Sequence, residues 1–266
     1  MIISHEFRYV FVQVPQTASS SIGTELCDNY GGEPILYKHA TYDEFLGKAT
    51  EEEKSYFSFA GVRNPLDCLV TEFFRRKAGK RIRENPLHYE KYIYIRDNQA
   101  SFADFMKKFH SHFHKAADPY CRGVDFIYRY ENLQEDFSRV LSKMGIEQIR
   151  PLPRFNRSPG KTGSFLSYYT PEIQPMVRMV LRGRMKRAGY QFPGNWRKIG
   201  WMAPALLTGS LFKTILFSLR LLRLRRRRPS PGAHDSYSTR LRKTYVEGED
   251  PGKEEQPGVP EDSCRT

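Results

Sequence analysis

Three short runs of β-branched and aromatic residues, each followed by a helical pattern, constrain the fold of this chain more than any other feature. The runs have the composition of buried strands and cover residues 10–14, 57–62 and 124–130. The helical patterns begin near Ser20, at Pro65 and at Leu133. Strands that alternate with helices pair in parallel, because each helix returns the chain to the same edge of the sheet. The sequence therefore predicts an α/β fold, a three-layer sandwich with a mostly parallel sheet.

Proline and glycine residues predict where the helices begin and end. Pro65 suits the first position of a helix, because the N–H that proline lacks has no helical partner there in any case. Gly145 ends the helix that follows the third run. Further helices are predicted over residues 102–109 and from Pro171 towards Gly189.

The charge balance indicates anionic ligands or an anionic surface as partners. The 266 residues contain 43 Lys and Arg against 30 Asp and Glu, which gives a net charge of +13. Nearly half of that excess comes from the arginines of residues 220–228, so the rest of the chain is only mildly basic. The sequence contains no nucleic-acid recognition motif of the usual kinds, and nucleic acid is not expected as a partner.

The sequence also predicts the compartment and the domain organisation. The cysteines are scattered without paired spacing, which argues against disulfides and zinc and favours a reducing compartment. No charged region followed by an apolar core precedes the first strand, so no signal peptide is expected. We expect a cytoplasmic protein with one domain over residues 1–195, a basic amphipathic helix over 196–228 and a disordered tail over 229–266.

A polar turn, VPQTASSSI, links the first predicted strand to its helix. Small hydroxyl residues at a helix start suit a phosphate group, because free backbone N–H groups and the positive end of the helix dipole meet there. Loops of this kind normally carry a lysine near the middle, and this loop has Gln16 there. An ATP-dependent kinase is disfavoured, since the sequence lacks the G-x-x-x-x-G-K-[ST] signature.

Three stretches of sequence, in order, resemble one family. VPQTASSSI is similar to the loop that holds the 5′-phosphosulfate in sulfotransferases, and VRNPLDCLVTEF is similar to their 3′-phosphate motif. DFIYRYENLQEDF, followed by LPRFNRS and SYYTPE, resembles the later part of the carbohydrate-type sulfotransferases, Golgi-like and bacterial. The resemblance extends over residues 6–192. It implies a P-loop-type fold that transfers a sulfuryl group from 3′-phosphoadenosine 5′-phosphosulfate to a hydroxyl acceptor, a carbohydrate, without a metal.

The resemblance also implies which residues bind the donor. Arg63 matches the arginine that grips the 3′-phosphate with its guanidinium fork, and a salt bridge at the strand end is the alternative. Thr71 stands where the family has serine, and its hydroxyl donates in the same way. The implied donor-binding residues are Pro15, Gln16, Thr17, Ala18, Ser19, Ser20, Ser21, Arg63, Thr71 and Arg157.

Gln16 departs from the family pattern at a catalytic position. In the family, the matching lysine bridges the leaving phosphate and the sulfuryl group and neutralises the charge that grows as the S–O bond breaks. Losing one such group slows a reaction roughly a hundred- to a thousandfold. Three explanations stay open: a nucleotide-binding pseudoenzyme, a weak enzyme, or an enzyme in which another cation substitutes. A membrane-tethered binding module is the further alternative from another class. The candidate substitutes are Lys38, Arg157 and Lys161.

A catalytic base is implied at His39, in the segment YKHATYDEF, which resembles a His-Ala-Thr segment of many relatives. A neutral imidazole suits this task near neutral pH, and a hydrogen-bonded structural histidine is the alternative. Asp67 and Glu72 are rival carboxylates that also suit capping or solvating their helix. The histidines of HSHFH, residues 110–114, have no acidic or thiolate residue close by in the sequence, so a solvated loop is favoured over a metal site.

Residues 204–224 place apolar and basic side chains at helical spacing. Lys213, Arg220 and Arg223 project on one side, mostly opposite Leu207, Leu211, Ile215, Leu219 and Leu222. A basic amphipathic helix suits the interface of an anionic membrane, and residues 201–228 are predicted to bind one peripherally. A spanning helix is the rival, which the positive-inside tendency disfavours. Docking of the helix on the protein's own core is the third possibility.

Overall fold

The structure is a computed structural model that describes residues 1–80, 82, 85–114, 120–153, 159–196 and 203–226, with the side chains of the last helix described over 208–219. These residues belong to one compact unit, Met1–Pro229. The predicted tail over residues 229–266 lies outside the described residues, as do Arg157 and part of the segment 196–228. The domain boundary at residue 195 stays a prediction.

A five-stranded sheet forms the centre of the fold. Its strands are β1 (Ile2–Ser4), β2 (Tyr9–Val12), β3 (Glu33–Pro34), β4 (Phe57–Val62) and β5 (Phe126–Arg129). The strand order is β3-β1-β2-β4-β5, in which β2, β4 and β5 are parallel and β1 is antiparallel to both of its neighbours. The α/β fold with a mostly parallel core is confirmed, and the three-layer, P-loop-type classification stays a prediction.

Helices connect and cover the strands. Within the described residues they are α1 (Ser19–Asn29), α2 (Tyr42–Leu46), α3 (Glu51–Lys54), α4 (Pro65–Lys77), α5 (Pro86–Asp97), α6 (Phe102–Phe109), α7 (Leu133–Lys143), α8 (Gln174–Arg187) and α9 (Ala203–Arg226). The helices predicted after the three apolar runs are α1, α4 and α7, and the pattern over residues 102–109 is α6.

Local chemistry explains the predicted helix ends. The Asn64 side chain accepts a hydrogen bond from the backbone N–H of Leu66 at 3.0 Å, and Pro65 occupies the first helical position of α4. Gly145 follows α7 with a left-handed φ of 70°, a conformation that ends a helix at little cost for glycine.

The central strand β2 is buried on both faces of the sheet, to which its alternate residues point. Tyr9 and Phe11 of β2 pack in one apolar cluster with side chains of α1 and α7. Val10 and Val12 pack in a second cluster, which includes Tyr42 of α2. A third cluster joins α4, α6 and α8.

The parallel strands bring the predicted site residues to one edge of the sheet. β2 pairs with β4 in parallel, from Tyr9 opposite Phe57 to Val12 opposite Ala60, so the two strands end on the same side. The β2–α1 loop (residues 13–18) leaves the end of β2, and Arg63 follows the end of β4. This edge is therefore where the two segments meet.

Candidate functional site

The β2–α1 loop is bent by two residues in the left-handed conformation. Gln16 has a φ of 68° and Ala18 a φ of 65°, which cost about 1–2 kcal/mol each for residues with a side chain. Strain of this kind persists where surrounding contacts hold it and is frequent at binding sites. Ala18, as N-cap of α1, makes no side-chain hydrogen bond, and the first turn of α1 contains no acidic residue. The positive end of α1 at this loop suits an anionic ligand.

Tyr128 of β5 supports this loop. Its hydroxyl donates to the carbonyl oxygen of Thr17 at 3.0 Å and lies 3.1 Å from the Thr17 hydroxyl. The Thr17 hydroxyl in turn donates to the carbonyl oxygen of Val14 at 2.9 Å, and the residue is only 2% exposed. The side chain of Thr17 therefore holds the loop, and its contact with a phosphate stays a prediction.

Arg63 joins the loop to α4. Its Nη1 donates to the carbonyl oxygen of Gln16 at 3.0 Å, and its Nη2 donates to the Thr71 hydroxyl at 2.8 Å. Its Nε also donates to Asp67 at 2.9 Å, which is the salt bridge considered as the alternative role, and its guanidinium stacks 3.9 Å from the ring centre of Tyr130. The structure brings Arg63 and Thr71 together as the motif predicts; their contact with a 3′-phosphate stays a prediction.

Asp67 lies between two cations. It pairs with Arg63 through Oδ2 and with Lys161 through Oδ1, and both it and Arg63 are buried. Asp67 lies in the first turn of α4 but is not solvated, because the carboxylate is enclosed by these two partners. One negative charge against two positive charges leaves this place with an excess of positive charge, which favours an anionic ligand.

Lys38 reaches the start of α1 from the turn that follows β3. Its Nζ donates to the hydroxyl of Ser20 at 2.8 Å, and Ser20 lies in the first turn of α1. Of the candidate substitute cations, Lys38 lies on the helix start, Lys161 pairs with Asp67, and Arg157 lies outside the described residues.

His39 follows Lys38 in the same turn. Its Nδ1 lies 2.6 Å from the carbonyl oxygen of Gln13, and because a carbonyl only accepts, the ring donates through Nδ1–H. In the neutral ring the basic lone pair is then on Nε2. A histidine that donates through Nδ1–H to a backbone carbonyl can accept a proton only at that atom. The catalytic role of His39 stays a prediction.

The remaining implied residues differ in exposure. Ser19 and Ser21 are buried in the first turn of α1, Ser20 is half-buried, and Pro15 is exposed. The carbonyl oxygen of Ser19 accepts from the side-chain amide of Gln13 at 3.3 Å, which ties the helix start to the end of β2. Their contribution to donor binding stays a prediction.

The predicted solvated loop at residues 110–114 is wrong: its histidines are packed in a stack. The His112 and His114 rings lie 4.9 Å apart and 6° from parallel, and His112 stacks on Phe217 of α9 at 4.1 Å. His110 and His112 are buried, and Phe217 of α9 covers the His112 ring. Burial, with neighbouring positive charge, lowers the pKa of His112 to about 4.

Glu72 likewise does not solvate its helix. Its Oε1 accepts from the Nζ of Lys91 at 2.5 Å, and its Oε2 lies 3.4 Å from Nε2 of His110. Burial alone would raise the pKa of Glu72, but His110 and Lys91 hold that pKa well below its usual value. Glu72 is therefore an ionised partner of this buried cluster and lies in a different network from His39.

The described residues also bear on metal binding and on membrane crossing. Among them, no group of three or more His, Cys, Asp or Glu side chains is arranged to hold a metal ion. None of the helices that the structure describes is both long and apolar enough to cross a bilayer.

Comparison of the sequence with known protein families agrees with the geometry of this site. The model of the sulfotransferase family matches residues 1–184, well over half of the chain. The chain belongs to the sulfotransferase family. It is a transferase, and its reaction class is sulfuryl transfer. No curated protein and no solved structure gave a match.

Proposed function

We propose that the protein transfers the sulfuryl group of 3′-phosphoadenosine 5′-phosphosulfate to a hydroxyl group of a carbohydrate. The observation that carries this proposal is the pair of contacts made by Arg63. Its guanidinium donates to Gln16 in the β2–α1 loop at 3.0 Å and to Thr71 of α4 at 2.8 Å. These are the two segments that resemble the 5′-phosphosulfate loop and the 3′-phosphate motif, so one nucleotide with phosphates at both positions fits this edge of the sheet.

Each part of the site has a task in an in-line displacement. Backbone N–H groups of the β2–α1 loop and the start of α1 hold the phosphosulfate. Arg63 and Thr71 hold the 3′-phosphate. To bind it, the guanidinium gives up part of its contact with Asp67. The acceptor oxygen attacks sulfur while the bond from sulfur to the bridging oxygen breaks. The acceptor proton passes to Nε2 of His39, and the electron pair leaves with the 5′-phosphate.

The proposed acceptor is a hydroxyl group, whose proton the base removes as the oxygen bonds to sulfur. The carbohydrate class rests on the resemblance of residues 126–137, 152–158 and 167–172 to carbohydrate-type sulfotransferases. An alternative from another class is a nucleotide-binding protein without turnover, which Gln16 favours because its amide carries no charge.

Two measurements test the proposal. Calorimetry with adenosine 3′,5′-bisphosphate and with 5′-AMP is expected to show tighter binding of the bisphosphate. A labelled donor, incubated with a panel of oligosaccharides, is expected to transfer its sulfuryl group to at least one of them. Bisphosphate binding without transfer to any acceptor or to water would support the binding protein instead, and equal affinity for both nucleotides would contradict the proposed 3′-phosphate site.

A further inference from the structure

We propose that Lys38 supplies the positive charge that the β2–α1 loop lacks at Gln16, so that the leaving phosphate is neutralised by a lysine from a different segment. This inference rests on the proposed function. The observation that carries it is the contact of the Lys38 ammonium with the Ser20 hydroxyl, at 2.8 Å, in the first turn of α1.

The contact adds a positive charge to the start of α1. The ammonium of Lys38 lies beside the positive end of the helix dipole, and the first turn of α1 contains no acidic residue. Positive charge at this place favours an anionic ligand over a neutral one. In the proposal, a phosphosulfate held at the loop is that ligand, and the ammonium of Lys38 meets the oxygen that bridges sulfur and phosphorus.

Other groups of the site are engaged elsewhere or lack charge. Lys161 and Arg63 both pair with the Asp67 carboxylate. The side-chain oxygen of Gln16 is buried and, within the described residues, has no hydrogen-bond partner. Gln16 therefore contributes its backbone carbonyl, which accepts from Arg63, and the bend at φ 68°, but no charge.

Lys38 and His39 then act as consecutive residues of one turn. His39 takes the acceptor proton, and the ammonium of Lys38 neutralises the negative charge that appears on the bridging oxygen as the S–O bond breaks. Charge on that oxygen grows towards the transition state, so the lysine contributes more to the rate than to ground-state binding.

The test compares four proteins: the natural protein, Lys38→Met, Lys38→Met with Gln16→Lys, and Lys48→Met. Lys48 is an exposed lysine ten residues further along the chain and serves as the matched control. Transfer from a labelled donor to the most active oligosaccharide, and to water, gives kcat, while calorimetry with adenosine 3′,5′-bisphosphate gives affinity.

Lys38→Met is expected to lower kcat roughly a hundred- to a thousandfold and to change bisphosphate affinity much less. Gln16→Lys in that background is expected to recover much of the loss, and Lys48→Met is expected to match the natural protein. An unchanged kcat in Lys38→Met, with the natural protein active, would overturn the role of Lys38 alone. Absent turnover in the natural protein would overturn the proposed function as well, so the two failures are distinguishable.

Helix α9 turns its apolar side away from the domain, and this supports a second, independent proposal. Lys213 donates to the Ser111 hydroxyl at 2.8 Å, Thr214 accepts from the N–H of Phe113 at 2.9 Å, and Phe217 stacks on His112. Positions spaced in this way occupy one helix face, which is the face that docks on residues 111–113. α9 is thus docked on the protein's own core, which is the third arrangement considered for this helix.

The opposite face forms an outward apolar stripe. Its members are Leu211 (53% exposed), Phe212 (63%), Ile215 (59%), Leu216 (49%) and Leu219 (51%). A surface helix normally buries such a stripe, so this one marks an interaction surface. We infer that the outward apolar stripe lies in the interface of an anionic membrane.

Charge and area favour a membrane over a second copy of the chain. The sequence after the stripe contains Arg220, Arg223 and the run of residues 225–228, which suits anionic head groups. Five half-exposed side chains present no more than about 600 Å², since even an aromatic side chain has about 150–250 Å². A stable dimer buries about 800 Å² on each partner.

Flotation of the full chain with vesicles tests this surface. The protein is expected to float with vesicles of phosphatidylcholine and phosphatidylserine, and not with phosphatidylcholine alone. Phe212→Gln combined with Leu216→Gln keeps the charge and is expected to abolish flotation. Ile149→Gln, which alters an apolar side chain exposed to 65% elsewhere, is expected to leave it unchanged. No flotation of the natural protein, or a dimer in sedimentation that the double variant abolishes, would overturn the membrane assignment.

Discussion

The hydroxyl of Tyr128 donates to the carbonyl oxygen of Thr17 at 3.0 Å, and the ring of the same tyrosine lies against Gly61 in the neighbouring strand β4. A Cβ atom at position 61 would come within 2.2 Å of the Tyr128 ring. Glycine at this position therefore makes room for the side chain that holds the β2–α1 loop in its bent form.

Gly61→Ala is expected to destabilise the protein and to weaken donor binding together. The added methyl group must displace Tyr128, and overpacking of this kind typically costs about 1–3 kcal/mol. Thermal unfolding measures the first effect, and calorimetry with adenosine 3′,5′-bisphosphate measures the second.

Tyr128→Phe is the matched control, because it keeps the ring and removes only the hydroxyl. The loop should then lose a hydrogen bond, for a stability loss of about 1 kcal/mol, with bisphosphate affinity still reduced. Normal nucleotide affinity in both variants would show that the loop keeps its shape without Tyr128.

Arg63→Ala is expected to weaken adenosine 3′,5′-bisphosphate much more than 5′-AMP. A charged hydrogen bond contributes about 1.5–3 kcal/mol, so the loss of affinity for the bisphosphate is about 10- to 150-fold. Because Arg63 also pairs with the buried Asp67, thermal unfolding has to be measured alongside. Arg8→Ala, which removes an exposed salt bridge with Glu52, is the control for loss of an arginine. Equal losses for both nucleotides would assign Arg63 to structure alone.

His39→Gln is expected to lower kcat by roughly 10²- to 10⁴-fold, as removal of a general base does. Glutamine still donates to the carbonyl oxygen of Gln13, so the turn is expected to keep its shape. The fall of kcat/KM at acidic pH, which protonation of the base causes in the natural protein, should disappear in the variant. An acidic limb that persists in His39→Gln would point to another base.

The histidine stack makes stability depend on pH. Burial lowers the pKa of His112 from 6.5 to about 4, and the pKa values of His110 and His114 are also lowered. Between pH 6.5 and about pH 4, the unfolded chain binds more protons than the folded one. The free energy of unfolding is therefore expected to fall as pH drops from about 6.5 to 4, by on the order of 3 kcal/mol for His112 alone.

Denaturant unfolding over this pH range checks the slope, with His112→Phe as the comparison. Phenylalanine still stacks on Phe217 but has no titrating nitrogen, so its slope should be flatter. The stability that ionised Glu72 contributes is present above pH 4.5 and is lost progressively as pH falls from there towards its lowered folded-state pKa, so it affects only the acidic end of this window. Identical slopes in both proteins would contradict the assignment to His112.

Local pattern predicts the parallel strands of the sheet but not the short antiparallel ones. β2 and β4 are largely buried and carry continuous apolar runs, and β5 carries a shorter apolar run although only Tyr128 of it is buried; such runs are visible in sequence. β1 and β3 contain three and two residues, which is too short to show a period-2 pattern. α5 was also missed, because its tyrosines occur around the helix and no apolar stripe stands out.

In the candidate site, too, some contacts are predictable from local sequence and others are not. Arg63 and Thr71 are eight residues apart on a strand end and its following helix, so their meeting was predictable from the motif. The contact of Lys38 with Ser20 depends on how the chain folds back after β3, and no local signal encodes it. The burial of His112 depends on α9, whose Lys213 contacts Ser111 from 102 positions along the chain.

The docking of α9 also affects how the chain can be shortened. A protein that stops before Ala203 loses the ring that covers His112, the acceptor of the Phe113 N–H and the partner of the Ser111 hydroxyl. Truncation would then uncover aromatic rings and unpaired polar groups, and a drop in soluble yield would follow for reasons unrelated to lipid. Point changes on the outward apolar stripe leave that cover in place, so they separate membrane attachment from the integrity of the folded domain.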